Sequence, residues 1–226
     1  MHLSARKLEI CLKRMVGDSI NMILCDIGNT SFHFLNGTHD YKESAELFSP
    51  SEMKERVFYI SVNQKVNHVL KDLDNWIDIA PFIERKNYYE SMGIDRVVAC
   101  EAIEDGVIVD AGSAITVDIV KNGVFEGGFI YAGVNAMSKT YKNISPALEY
   151  SFNFELDLDK MPKNSKDAIS YGYLKPFYSE VLSYKKQIFL TGGNAEMFLS
   201  LFNQAKVEKH LLFNGMKKII KKANLC

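Results

Sequence analysis

Three carboxylates have neighbours that could do chemistry. Asp26 heads Asp26-Ile27-Gly28-Asn29-Thr30-Ser31, and Asp110 heads Asp110-Ala111-Gly112-Ser113-Ala114, 84 residues further on. In each case an apolar run ends in Asp-x-Gly and small, amide or hydroxyl residues follow. Glycine permits a sharp turn through backbone angles that other residues avoid, and lets another group approach the main chain. Asn29, Thr30 and Ser113 offer donors for phosphate oxygens, and a carboxylate at the same place can hold a cation that offsets phosphate charge. The third carboxylate, Asp95, stands beside Arg96 and two residues after Gly93. It could accept a proton from a substrate hydroxyl while the guanidinium forks onto a substrate carboxylate. An Asp at a helix start is equally an ordinary cap, and one Asp-x-Gly turn is equally an ordinary hairpin. Two such turns in matching contexts suggest paired hairpins that grip a polyphosphate from both sides of a cleft.

The elements that must position these residues repeat along the chain. Each Asp-x-Gly run reads as strand, turn, strand, Asn-Gly turn (Asn36-Gly37 and Asn122-Gly123) and strand, Asn-Gly being the strongest short hairpin signal. After the first unit, residues 56–62 read as a strand. Residues 64–76 then read as a helix with Val66, Val69, Leu70 and Leu73 on one face. After the second unit, helices are expected over 135–144 and 165–185, then a strand over 186–193. A helix should begin in 194–202, and a basic amphipathic one should run over 215–224. Thr191-Gly192-Gly193 puts two glycines between a strand and a helix. A purine or ribose could lie there against the backbone and the helix N-terminus, or the chain could simply turn tightly. The duplication predicts an α/β protein of two similar, closely packed lobes, 22–105 and 106–226. Residues 1–21 read as a dispensable extension, with Met22 as a possible start.

Composition excludes several classes. The chain has 226 residues, 47% hydrophobic and 24% charged, with a formal net charge of −1. That is ordinary for a soluble globular protein and supplies no basic field for nucleic acid or an anionic membrane. No apolar run approaches the length of a membrane span. The four cysteines, Cys11, Cys25, Cys100 and Cys226, lack the spacing of a zinc site. Cys25 and Cys100 lie in apolar runs and read as buried thiols, which favours a reducing, cytoplasmic compartment. Neither GxxxxGK[ST] nor GxGxxG occurs, so a nucleotide would have to bind through the paired hairpins.

Taken in order, "DIGNT" (26–30), "GIDR" (93–96), "DAGSAIT" (110–116), "NSKDAI" (164–169) and "TGG" (191–193) resemble type III pantothenate kinase. This family belongs to the acetate-and-sugar-kinase, Hsp70 and actin superfamily. The resemblance covers residues 22 to about 215. It implies two ribonuclease-H-like (actin-like) lobes, with mixed sheets flanked by helices, that phosphorylate pantothenate with ATP and Mg²⁺ in the first step of coenzyme A synthesis. It further implies that Asp26, Gly28, Asn29, Thr30 and His33, with Gly112, Ser113, Gly192 and Gly193, contact ATP. Asp95 would be the general base, and Tyr89, Gly93, Ile94, Asp95, Arg96 and Ser165 would contact pantothenate. Asp110 would hold a monovalent cation, potassium or ammonium, and Ser165 would reach the substrate across a homodimer interface. His33 replaces the Lys of many members, Ser113 and Ser165 replace Thr, and Ala132 stands where Pro often precedes Gly133. Two alternatives stay open. One is a kinase of the same superfamily for another hydroxylated acid or sugar. The other is a non-catalytic nucleotide-binding regulator, although such a protein would have no need of a base.

Overall fold

The computed structural model describes residues 22–225; the 1–21 extension, Cys11 and Cys226 lie outside them. The described residues fall into two compact units. One comprises the chain up to Val98 together with Leu212 onwards, and the other is Ala99–Leu211.

The first unit is built on β1 (Ile23–Ile27), β2 (Ser31–Asn36), β3 (His39–Ser44), β4 (Val57–Ser61) and β5 (Trp76–Asp78), in the order β3-β2-β1-β4-β5. The hairpin pairs are antiparallel, whereas β4 and β5 run parallel to β1. Side chains alternate across a strand. Ile23, Cys25 and Ile27 therefore enter one core with Phe32, Phe34, Val57, Tyr59, Leu70 and Trp76. Leu24 and Asp26 point to the opposite face. Trp76 closes the core, donating its indole N–H to the Pro50 carbonyl at 3.1 Å. Helix α1 is Gln64–Leu70 and ends earlier than expected. The chain after it turns so that Trp76 can join the sheet edge, and this short strand overrides the helical pattern of 71–76. Val69, expected on the buried face of α1, is 51% exposed. Helix α2 (Ile94–Ala102) runs across the division between the units.

The second unit repeats the plan. Strands β6 (Gly106–Ala111), β7 (Ala114–Lys121), β8 (Val124–Ala132), β9 (Ile188–Thr191) and β10 (Lys206–Val207) lie in the order β10-β9-β6-β7-β8. Again the first three are antiparallel neighbours and the last two parallel additions. The expected duplication is thus present in the strand order itself. Helices α3 (Val134–Ile144) and α4 (Ser165–Ser183) match their expected spans. The apolar surplus on α4 is spent inside this unit. Ile169, Leu174, Phe177 and Val181 are buried, Tyr171 and Tyr178 pack against the same core, and Leu182 is left 41% exposed. The helix expected to begin in 194–202 is a five-residue 3-10 element, Ala195–Leu199. Helix α5, Leu211–Lys222, is the expected basic C-terminal helix and belongs, from Leu212, with the first unit. Gly215 lets it approach α2, since a Cβ there would lie 2.0 Å from the Val98 carbonyl oxygen.

The two Asn-Gly turns differ by one residue. The second has Asn122 and Gly123 as its central pair, both with positive φ (52° and 70°), as a type I′ turn requires. In the first, Asn36 still pairs with His39, and the loop is Gly37-Thr38 with positive φ only at Gly37.

Candidate active site

In the first unit the Asp-x-Gly turn is closed by the Gly28 N–H donating to the Ser31 carbonyl at 2.9 Å. Asn29 and Thr30 are left exposed at the tip, and Asp26 is half-buried one strand position behind. Gly28 is not in the left-handed region, so its value lies in bareness. A Cβ there would meet nothing nearer than 3.6 Å. His33 lies on β2 directly across from Asp26. Its Nε2 is 2.7 Å from Asp40 Oδ1, and its ring stands edge-on to Phe213 of α5, with centroids 4.8 Å apart. These contacts give the histidine a packing role beside the first Asp-x-Gly turn. Cys25, next to Asp26, is a buried free thiol whose pKa is pushed well up by burial and by the Asp26 charge.

The segment 89–96 gathers a second set. Gly93 precedes α2, its carbonyl accepting from the Val97 N–H at 3.1 Å. The half-buried Asp95 in the first turn folds its carboxylate back, Oδ1 accepting from the Arg96 N–H at 2.9 Å. A Cβ on Gly93 would lie 2.4 Å from that oxygen, so the glycine makes room for the carboxylate. Arg96 is 7% exposed. Its Nη1 donates to the Tyr89 hydroxyl at 2.5 Å, with the guanidinium carbon 5.8 Å from the ring centre. Tyr89, Gly93, Ile94, Asp95 and Arg96 are therefore brought together at one helix end. The residue 83–93 segment is itself pinned by Arg85, whose Nη1 donates to the Met92 carbonyl at 3.1 Å.

The second unit assembles Asp110, Gly112, Ser113, Gly192 and Gly193. Parallel pairing sets Asp110 beside Thr191, so the β6 and β9 turns share one sheet end. Gly192 has φ +87°, and a Cβ on it would fall 2.3 Å from Asp110 Oδ1 and 2.9 Å from Ala111 backbone atoms. The Asn194 N–H then donates to the Ala111 carbonyl at 3.0 Å. Gly193 has open space where a side chain would be. The element after these glycines is a short 3-10 turn rather than the expected helix. Gly112, like Gly28, is outside the left-handed region. Its turn is three residues long, closed by its N–H donating to the Ala114 carbonyl at 3.1 Å.

Gly133 also shapes this loop. A Cβ on it would sit 2.0 Å from the Ser113 carbonyl oxygen and 3.0 Å from that of Gly112, so β8 ends by supporting the Ser113 loop from beneath. The preceding Ala132 carbonyl accepts from the Tyr173 hydroxyl at 2.6 Å, and Tyr131 donates to the Tyr173 carbonyl at 2.7 Å. Burial is the main influence on both phenols and raises their pKa values, so they remain donors. The tyrosine pair ties the end of β8 to α4. Ser165 is exposed in the first turn of α4, presented by the Asn164 cap.

Among the described residues no group of three His, Cys, Asp or Glu could hold a metal ion.

The family model of type III pantothenate kinase matches residues 41–186. The chain belongs to the type III pantothenate kinase family. The type III pantothenate kinase of Sulfurimonas denitrificans is 65% identical over 205 residues, 91% of this chain and 100% of the relative. A crystal structure from Campylobacter jejuni, described provisionally as a Baf family transcriptional activator, is 40% identical with TM-score 0.81. It covers 91% of this chain and is itself covered completely. A structure from Sinorhizobium meliloti, described provisionally as a 2-dehydro-3-deoxygalactonokinase, shares only 7% identity but a TM-score of 0.56. The match spans 89% of this chain and 96% of that one, and shows the fold alone. The α/β fold of two similar units expected from the repeat is therefore the fold of this family member. No helix among the described residues is long and apolar enough to cross a membrane.

Proposed function

We propose that this chain transfers the γ-phosphoryl group of ATP to the primary hydroxyl of pantothenate, forming 4′-phosphopantothenate. The observation that carries this reading is the grouping at α2, where Asp95 has been given room by Gly93 and a buried Arg96 is paired with Tyr89. Pantothenate offers the two matching groups, a hydroxyl to be deprotonated and a carboxylate to be held. Asp95 serves as the base, and Arg96 takes the carboxylate with Tyr89 fixing its aim. The loops headed by Asp26 and Asp110 serve ATP. Asn29 and Thr30 bind phosphate oxygens in one, Gly112 and Ser113 do so in the other, and Gly192 and Gly193 lie beside the nucleotide. Mg²⁺ arrives with ATP and offsets its charge. A monovalent cation at Asp110 keeps that carboxylate from repelling the phosphates. Catalysis is then mostly positioning and charge stabilisation.

The Campylobacter jejuni structure described as a transcriptional activator favours a second reading, a nucleotide-binding regulator. Retention of Asp95 with its glycine speaks for the enzyme. A coupled assay of ADP release from ATP, with and without pantothenate, separates the two. Pantothenate-dependent release supports the kinase. Nucleotide binding without turnover would support the regulator, and turnover only with other hydroxy acids or sugars would move the substrate assignment.

A further inference from the structure

Asn63 belongs to no motif singled out above, yet its side chain meets the first phosphate loop. The parallel register of β1 and β4 pairs Ile27 with Ser61, and the Val62 N–H donates to the Ile27 carbonyl at 3.0 Å. That ladder delivers Asn63 beside the Gly28-Asn29 turn. Its Oδ1 accepts from the Lys65 and Val66 N–H groups at 3.2 and 3.3 Å, capping α1. Its Nδ2 donates to the Gly28 and Asn29 carbonyls at 3.3 and 3.4 Å. Its own N–H is held by Ser61 Oγ at 3.1 Å. Each side-chain atom of the amide head group thus bridges two partners.

We propose that Asn63 is a positioning residue for phosphate binding, a latch that aims the main chain of the Gly28–Thr30 loop at ATP. The reason lies in peptide geometry. In a planar trans peptide the carbonyl and the following N–H point in opposite directions. Holding the Gly28 carbonyl inward turns the Asn29 N–H outward, and holding the Asn29 carbonyl does the same for the Thr30 N–H. Two successive N–H groups facing one way form an anion-binding nest. The amide donor does this, and no carboxylate or short hydroxyl in its place could donate to both carbonyls while still capping α1.

The inference rests on reading this loop as an ATP-phosphate site, so the test separates the two. Asn63→Ser and Asn63→Asp both keep a good helix cap, and α1 should hold in both. ATP binding is measured by titration calorimetry, together with KM for ATP, KM for pantothenate and the thermal midpoint. In Asn63→Ser, ATP affinity should fall about tenfold, the equivalent of one lost hydrogen bond, with KM for pantothenate unchanged and the midpoint lowered only slightly. Asn63→Asp should lose more, because a carboxylate then faces both carbonyls and the phosphates. Wild-type ATP affinity in both variants overturns the latch. A lowered midpoint with unchanged ATP affinity, or an equal rise in both KM values, overturns it too. If the unaltered protein binds no ATP, the reading of the loop itself fails and the latch with it.

Discussion

Gly93 and Gly192 are defined by the carboxylate oxygens that stand where their side chains would be. A Cβ at either position would lie under 2.5 Å from the Oδ1 of Asp95 or Asp110. Asp95→Asn keeps the shape and removes the base. Turnover should drop on the order of 10²–10⁴-fold while ATP affinity by calorimetry stays near that of the unaltered protein. Unchanged turnover would take Asp95 out of the chemistry. Gly192→Ala should act on Asp110 in two ways, through the clash and through a φ of +87° that alanine adopts at a cost of about 1–3 kcal/mol. Its thermal midpoint should fall, and any stimulation by potassium over sodium at fixed ionic strength should shrink with it. Equal rates of the unaltered protein in potassium, ammonium and sodium would remove the cation from the Asp110 site.

Helix α4 is the element whose start matters most, because it presents Ser165. Asn164 caps it by accepting from the Asp167 N–H at 2.9 Å, and its amide donates back to Asp167 Oδ2 at 2.7 Å. The Asn153 amide reaches Asp167 Oδ1 at 3.4 Å. Asn164→Ala should cost about 1 kcal/mol. The Asn164 amide first, then that of Asn153, hold the Asp167 carboxyl below its usual pKa. A depressed folded pKa stabilises above the ordinary carboxylate value, and the contribution is lost as pH falls through the folded value. The thermal midpoint of the unaltered protein should therefore exceed that of Asp167→Asn at neutral pH, and the gap should close on acidification. A gap that is constant with pH would mean that the charge contributes nothing.

For the whole molecule, the proposal is a homodimer in which Ser165 of one protomer serves the pantothenate site of the other. The apolar surplus on α4 does not argue for it, being spent in the core of the second unit. Large apolar side chains do remain exposed on that unit, at Ile130, Ile144 and Met161, and an interface of at least roughly 1,000 Å² could cover them. Mixing Asp95→Asn protomers with Ser165→Trp protomers should restore part of the activity. A heterodimer would hold one site with both lesions and one with neither. Demonstrably mixed dimers without recovery, or a fully active monomer, would defeat the shared site.

The sequence by itself determined what local chemistry determines. The Asp-x-Gly runs, the alternation of Ile23, Cys25 and Ile27, and the repeated Asn-Gly turns are short-range signals, and they located both hairpin units and the ends of β1 and β6. The adjacency of Asp95 and Arg96 two residues after Gly93 located that group, and the family resemblance gave it a substrate. Only tertiary structure decided what depends on contacts distant along the chain. Trp76 becomes a strand because the edge of β4 and an aromatic core receive it. Gly133 matters because β8 returns beneath Ser113, and Asn63 reaches the loop because parallel pairing sets β4 beside β1. The glycines of the two Asp-x-Gly turns show the same division. Their positions are legible as turns, yet the structure gives them no left-handed φ; only Gly112 has a neighbour, the Ala114 carbonyl oxygen, that would crowd a Cβ.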